Sequence, residues 1–255
     1  KSFPEKSLDE LIRIEKKFYH FFCDYFVETL KLTSISKKEM RKRMVFRGVE
    51  QVEQAVHEEG HNFIFLYLGH YCNWEWIASL PYTISPSIHC AQIYHPLYNK
   101  AVDRFFLKLR NQFGGECIPM KNTLRRVIEL KREKRPTMIG FISDQLPKWN
   151  SMHFFVPFLH RETAVFTGAE HIGRQVKAVY FFADIIRPRR GYYECTFRRM
   201  EIPEVNRTEY DMTAMFMEQL EQMIRKAPQY WLWTHKRWKR TKEEWLRRQQ
   251  DSTIK

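Results

Sequence analysis

Asn62-Phe63-Ile64-Phe65-Leu66-Tyr67-Leu68, then Gly69-His70-Tyr71-Cys72-Asn73, then Trp74-Glu75-Trp76-Ile77-Ala78-Ser79-Leu80, decides the fold. The first run is almost wholly apolar and has the length of a strand buried on both faces. The second is turn-like. The third reads as a helix that Asn73 can cap. A buried strand, a polar turn and a helix in that order open a βα unit.

The alternation continues outward. Ile88 to Tyr94 reads as a strand and Tyr98 to Phe113 as a helix. Cys117 to Met120 is a short strand, Thr123 to Glu133 a basic helix, and Thr137 to Ser143 another buried strand. The fold class is therefore α/β, with a mostly parallel central sheet flanked by helices. Strands after Met152 look more antiparallel, around Arg187 to Tyr192, and a helix over Asp211 to Ala227 follows. Ahead of the core, Ser7-Leu8-Asp9-Glu10 is a capping box opening an aromatic-rich helix, whose face packs on the domain or touches lipid. Ser36 to Glu39 resembles a second box, with its helix ending near Gly60. One domain is expected: N-terminal helices over 1–60, an α/β core over 61–205 and C-terminal helices over 206–255.

The 255 residues carry a net charge of +13, which calls for an acidic partner: nucleic acid, anionic lipid head groups or an acidic protein. Only 9 glycines argue against a Gly-rich nucleotide-binding fold. The five cysteines are scattered, with no CxxC, so a disulfide framework is not expected. No segment reaches the roughly 18 apolar residues of a membrane span, and no signal peptide is visible. The chain begins at Lys1 rather than Met, so an N-terminal anchor ahead of it is an expectation.

His70 and Glu75 form an H-x4-E pair. On one continuous helix they would sit about 140° apart and not meet. With His70 at a strand end and Glu75 in the next helix they can, and a carboxylate there would fix the imidazole tautomer for a general base. About one such pair is expected by chance from this composition, so the motif alone is weak. Asp144, in Ser143-Asp144-Gln145 at another strand end, can bond His70 or bind substrate. His57-Glu58-Glu59-Gly60-His61 matches H-E-x-x-H, but Gly60 interrupts the helix that a zinc site needs, so no metal is expected. Cys72 reads as a packing residue rather than a nucleophile. Basic clusters run Lys121 to Arg135 and Lys236 to Arg248, the second beside tryptophans that suit a membrane interface or brace the sheet.

Gly69-His70-Tyr71-Cys72-Asn73-Trp74-Glu75 resembles the H-x-x-N-W-E motif of the lipid A biosynthesis acyltransferases, the late enzymes of lipopolysaccharide assembly. Pro96-Leu97-Tyr98-Asn99 with Asp103-Arg104, Asp144-Gln145, Thr167-Gly168-Ala169 and Trp231 to Lys239 resemble further family segments in order. The resemblance covers about Phe3 to Arg240. It implies a glycerolipid-acyltransferase-like fold, a missing N-terminal anchor and a place at the cytoplasmic face of the bacterial inner membrane. It implies an acyl-transfer reaction (EC 2.3.1.-) from acyl-carrier protein to a hydroxyl of a lipid A precursor. No cofactor, metal or nucleic acid is implied, and an anionic membrane surface is an expected partner. His70 would be the base and Glu75 its partner. Asp144, Gln145, Asn73, Arg104, Arg110, Lys121 and Arg126 are candidates for catalysis or for holding substrate phosphates. His95 stands where Arg is expected, which puts one phosphate contact in doubt. The alternatives are acyl transfer to another glycolipid or aminolipid, and a non-enzymatic basic module binding anionic membrane or nucleic acid.

Overall fold

The computed structural model describes residues 2–201 and 209–253. The boundary expected between 205 and 206 lies outside the described residues. Helix α1 (Leu8–Lys31) starts at the capping box: Glu10 N–H donates to Ser7 Oγ at 3.3 Å and Ser7 N–H to Glu10 Oε2 at 2.8 Å. It buries Phe18, Phe21 and Tyr25 and leaves Tyr19, Phe26, Val27 and Leu30 exposed.

The single helix expected from Ser36 to Gly60 is instead α2 (Lys37–Arg43), strand β1 (Met44–Arg47) and α3 (Val49–His57). Buried Met44 and Phe46 alternate with more open Val45 and Arg47, which is strand periodicity. Gly48 follows at φ 75°, where an added Cβ would lie 2.6 Å from the Phe197 carbonyl oxygen, so the break needs glycine.

The central strands are β2 (Phe63–Leu68), β3 (His89–Tyr94), β4 (Glu116–Pro119) and β5 (Thr137–Ile142). A small antiparallel pair, β6 (Phe155–Phe158) with β7 (Arg161–Ala164), comes next, then the hairpin β8 (Val179–Arg189) and β9 (Tyr192–Met200). The seven-stranded sheet has the order β1-β9-β8-β2-β5-β3-β4. From β8 to β4 the strands run parallel, while β9 and β1 run the other way. The remaining helices are α4 (Lys100–Asn111), α5 (Thr123–Glu133), α6 (Gly168–Val176), α7 (Asp211–Lys226) and α8 (Lys242–Thr253). Residues Trp74–Tyr82 form a 3₁₀ segment rather than an α-helix, with Pro81 inside it.

Two connections place the site. β2 leads through Trp74–Tyr82 to β3 on one side, and β5 leads through α6 to β8 on the other. Right-handed crossovers then put these connections on opposite faces of the sheet. A crevice opens where they part, at the carboxyl ends of β2 and β5, as at the switch points of other open α/β sheets. Beneath it lie Ile64, Phe65, Tyr67 and Ile139, all fully buried, with Tyr67 stacked on Phe216 of α7 at 4.9 Å. No helix among the described residues is long and apolar enough to cross a membrane.

Candidate active site

β2 and β5 are adjacent and in register, with Leu68 opposite Ile142. Two residues beyond each strand end, the same register sets His70 opposite Asp144. His70 Nδ1 lies 2.6 Å from Asp144 Oδ1. The second carboxylate oxygen accepts the His70 backbone N–H at 3.0 Å and Trp231 Nε1–H at 2.8 Å. Burial alone would raise the Asp144 carboxyl; the His70 charge and the three hydrogen bonds outweigh it and hold the group below the ordinary range. An ionised Asp144 only accepts, so Nδ1 carries a proton, and in the neutral ring Nε2 is the nitrogen with the lone pair. The Gln145 amide nitrogen lies 3.3 Å from that Nε2. Gly69 permits this approach: a Cβ there would fall 2.7 Å from a Leu220 methyl and 3.5 Å from Asp144 Oδ2.

The expected pairing of Glu75 with His70 is not what the structure contains. Glu75 is buried and accepts two hydrogen bonds from Arg110 of α4, from Nε at 2.7 Å and Nη2 at 2.6 Å. The reason is that His70 stays on the loop after β2, while the 3₁₀ segment swings Glu75 toward α4. Burial pulls the Arg110 guanidinium down, and the Glu75 charge and hydrogen bonds more than reverse this, holding it above its ordinary value. Asn73, expected near substrate, is fully buried. Its Nδ2 donates to Glu28 at 2.8 Å and its Oδ1 accepts Trp76 N–H at 3.3 Å, so it caps the segment. Trp74 lies edge-on to His70, with ring centres 5.1 Å apart, and stacks on Tyr25 at 4.4 Å.

Arg104 is exposed on α4, and Lys121 is exposed ahead of α5. Arg126 is not brought to His70: Glu116, Glu129 and Glu133 occupy its guanidinium. His95 is exposed and its Nδ1 lies 2.9 Å from the Pro96 carbonyl oxygen. His57 ends α3 and pairs with Ser87 at 3.2 Å, while His61 lies past Gly60, so H-E-x-x-H does not share one helical face. Cys72 is wholly buried, and burial pushes its thiol well above its ordinary value. An apolar cleft adjoins the crevice, with Leu66, Leu68, Trp74, Ile77, Met138 and Ile142 among its walls. Leu68 and Ile142 each stand two residues ahead of the His70–Asp144 pair, so the cleft lies against the same two strand ends.

Sequence reasoning offered Asp144 as one partner among others and Glu75 first. The signal that favours Asp144 is the equal length of the two buried runs, Phe63–Leu68 and Thr137–Ile142. Aligning them as neighbouring parallel strands sets residues 70 and 144 side by side. Trp231 and His235 lie in the family-like stretch Trp231 to Lys239, but that resemblance assigns neither a place beside His70 and Asp144.

The arrangement is a carboxylate-oriented imidazole whose second nitrogen faces the Gln145 amide, near an apolar slot, able to take a proton from a hydroxyl that replaces that amide. The sequence profile of the family described as bacterial lipid A biosynthesis acyltransferase matches residues 1–240. A lipid A biosynthesis acyltransferase of Haemophilus influenzae is 27% identical over 202 residues, which is 78% of this chain and 60% of that relative. The chain thus spans less than two thirds of that relative's length.

Proposed function

Because the chain belongs to the bacterial lipid A biosynthesis acyltransferase family, we propose that it moves a fatty acyl chain from an acyl-carrier-protein thioester to a hydroxyl of a lipid A precursor, with His70 as general base. The observation that carries the proposal is the His70–Asp144 pair, in register at adjacent strand ends and flanked by an apolar cleft.

The step balances without a covalent enzyme intermediate. His70 Nε2 takes the proton of the acceptor hydroxyl, and that oxygen forms a bond to the thioester carbonyl carbon. The tetrahedral oxyanion collapses, the carbon–sulfur bond breaks, and the carrier thiolate leaves with the proton held by His70. Ester and thiol are the products, and the enzyme is unchanged. Asp144 holds the tautomer and stabilises the imidazolium. The Gln145 amide gives way to the acceptor hydroxyl or donates to it. Glu75 acts by holding Arg110, whose Nη1 is not used by their pair and is available to a substrate oxygen. Arg104 and Lys121 are assigned to acceptor phosphates, by their exposure and charge.

The place of action we assign is the cytoplasmic face of the inner membrane. An exposed apolar stripe supports membrane contact: Leu97, Tyr98, Val102 and Phe105 follow the carboxyl end of β3, interleaved with Lys100, Arg104 and Lys108. Apolar residues entering the interface beside cations that meet anionic head groups is a known mode of surface binding. Phe26 and Leu30 of α1 are exposed as well, and Gln112, just past α4, donates through Nε2 to the carbonyl of Leu32, just past α1, at 3.1 Å.

The test is mass spectrometry of the lipid after incubation with acyl-carrier-bound fatty acid and a lipid A precursor. An added acyl group on the precursor is the expected product. Acylation of another glycolipid or aminolipid in place of the precursor would overturn the acceptor, and release of free fatty acid alone would overturn the transfer.

A further inference from the structure

His70 and Asp144 sit on two loops with no strand or helix of their own, at residues 69–73 and 143–148. One segment fastens both. Tyr71 and Trp231 form an isolated antiparallel bridge, Leu232 N–H donates to the His70 carbonyl at 3.0 Å, and Cys72 N–H to the Tyr230 carbonyl at 2.9 Å. Across the crevice, Trp231 Nε1–H holds Asp144, and Arg240 Nη1 donates to the Pro147 carbonyl at 2.9 Å. Between these anchors, Leu146 N–H donates to His235 Nε2 at 3.2 Å. Leu146 is the residue next to Gln145, whose amide faces the proton-accepting nitrogen of His70.

We propose that His235 is a positioning residue for the acyl-transfer site: its neutral imidazole accepts the Leu146 N–H and so sets Asp144 and Gln145 against His70. The inference rests on the proposed role of His70 for its activity measurements alone. A partly buried backbone N–H needs an acceptor, and only a neutral imidazole with its proton on Nδ1 offers one at Nε2. The surroundings keep His235 neutral. Burial and the neighbouring Arg237 hold its imidazole below the ordinary value, with Lys239 and His70 acting the same way and Asp144 opposing them. Arg237 is fully buried, donates through Nη2 to the Ala164 carbonyl at 2.7 Å, and has no partner for Nε or Nη1 among the described residues. A second cation beside it would be repelled by the Arg237 charge. Among the described residues His235 is joined by a hydrogen bond to Leu146 and not to His70 or Asp144, so its effect passes through the loop.

The experiment compares wild type, His235→Ala and His235→Gln in the full chain. Glutamine carries an amide oxygen close to the place of Nε2 and can accept the same N–H. We expect His235→Ala to lose about tenfold to a hundredfold in kcat with KM within about twofold, the pattern of misplacement rather than weaker binding. His235→Gln should recover most of that loss. Equal turnover in wild type and His235→Ala, or no better turnover in His235→Gln than in His235→Ala, would overturn the proposal. A second measurement does not need activity or a variant that folds. Long-range nitrogen-15 spectra of wild type should show His235 protonated at Nδ1, with Nε2 bare at neutral pH; a proton on Nε2 would overturn it. If wild type transfers no acyl group to any acceptor, the functional proposal falls, while the spectra still decide the role of His235.

Discussion

Asp144→Asn is a change of one atom whose outcome the hydrogen bonds dictate. Oδ2 accepts from two donors, Trp231 Nε1–H and His70 N–H, while Oδ1 faces only His70 Nδ1. An amide at this position must turn one end toward each. If its NH₂ faced the two donors, both would lose their acceptor, at about 1–3 kcal/mol for each buried group. With its oxygen there instead, the NH₂ points at Nδ1, and nothing is left unsatisfied once Nδ1 gives up its proton. The proton then moves to Nε2, and the nitrogen that must accept from the acceptor hydroxyl has no lone pair. The expected result is a fall in kcat of about 10³- to 10⁴-fold, the scale set by a wrong histidine tautomer in hydrolases. The thermal midpoint should move by less than about 5 °C, because the packing is unchanged. The assay is initial-rate acyl transfer with scanning calorimetry on the same samples, and nitrogen-15 spectra to read the His70 tautomer. Activity within about tenfold of wild type, with the Nδ1–H tautomer retained, would show that Asp144 does not set the tautomer of His70.

Four further outcomes are expected. Glu75→Gln leaves the largely buried Arg110 cation without its carboxylate and should cost about 3 kcal/mol in urea unfolding, more than Asp144→Asn does. Replacing Leu97, Tyr98, Val102 and Phe105 together by Asp should lower sedimentation with anionic vesicles by about tenfold or more, with thermal stability kept. Stability should also fall on acidification. His235 has a folded value beneath its ordinary 6.5, so below that pH the unfolded chain binds the extra proton first and is favoured. Thermal melts should show a loss from about pH 6.5 downward that His235→Gln reduces. Cys72→Ala should keep kcat within about twofold, since a buried thiol with a raised pKa is not the nucleophile; abolished transfer in a folded Cys72→Ala protein would point to an acyl-enzyme.

The sheet was legible because two of its central strands, Phe63–Leu68 and Thr137–Ile142, are short, mostly apolar runs, a length that favours a buried strand over a helix. Strand β1 was not, because Met44–Arg47 is only four residues long and follows helix formers that include Lys42 and Arg43. His70 was legible from its place after β2. Its partner was less so: Glu75 is five residues away in sequence, whereas Asp144 is brought in by the register of two strands, which local sequence does not encode. The C-terminal basic cluster misled in a similar way. Trp231 and Arg237 look like interface residues by type, yet both are buried, and Trp231 donates to Asp144. Trp238 likewise points inward, with Nε1–H donating to Thr163 at 2.8 Å. Of the two roles considered for this stretch, bracing describes these three side chains.

His70 is the group proposed to take the proton from the acceptor hydroxyl. Single-turnover acyl transfer from a carrier-bound fatty acid to a lipid A precursor, with wild type and His70→Ala matched for folding, tests it most directly. A proton-accepting His70 requires at least about a hundredfold slower ester formation in His70→Ala, the lower bound for removing a general base. Ester formation at the wild-type rate in that variant would contradict it.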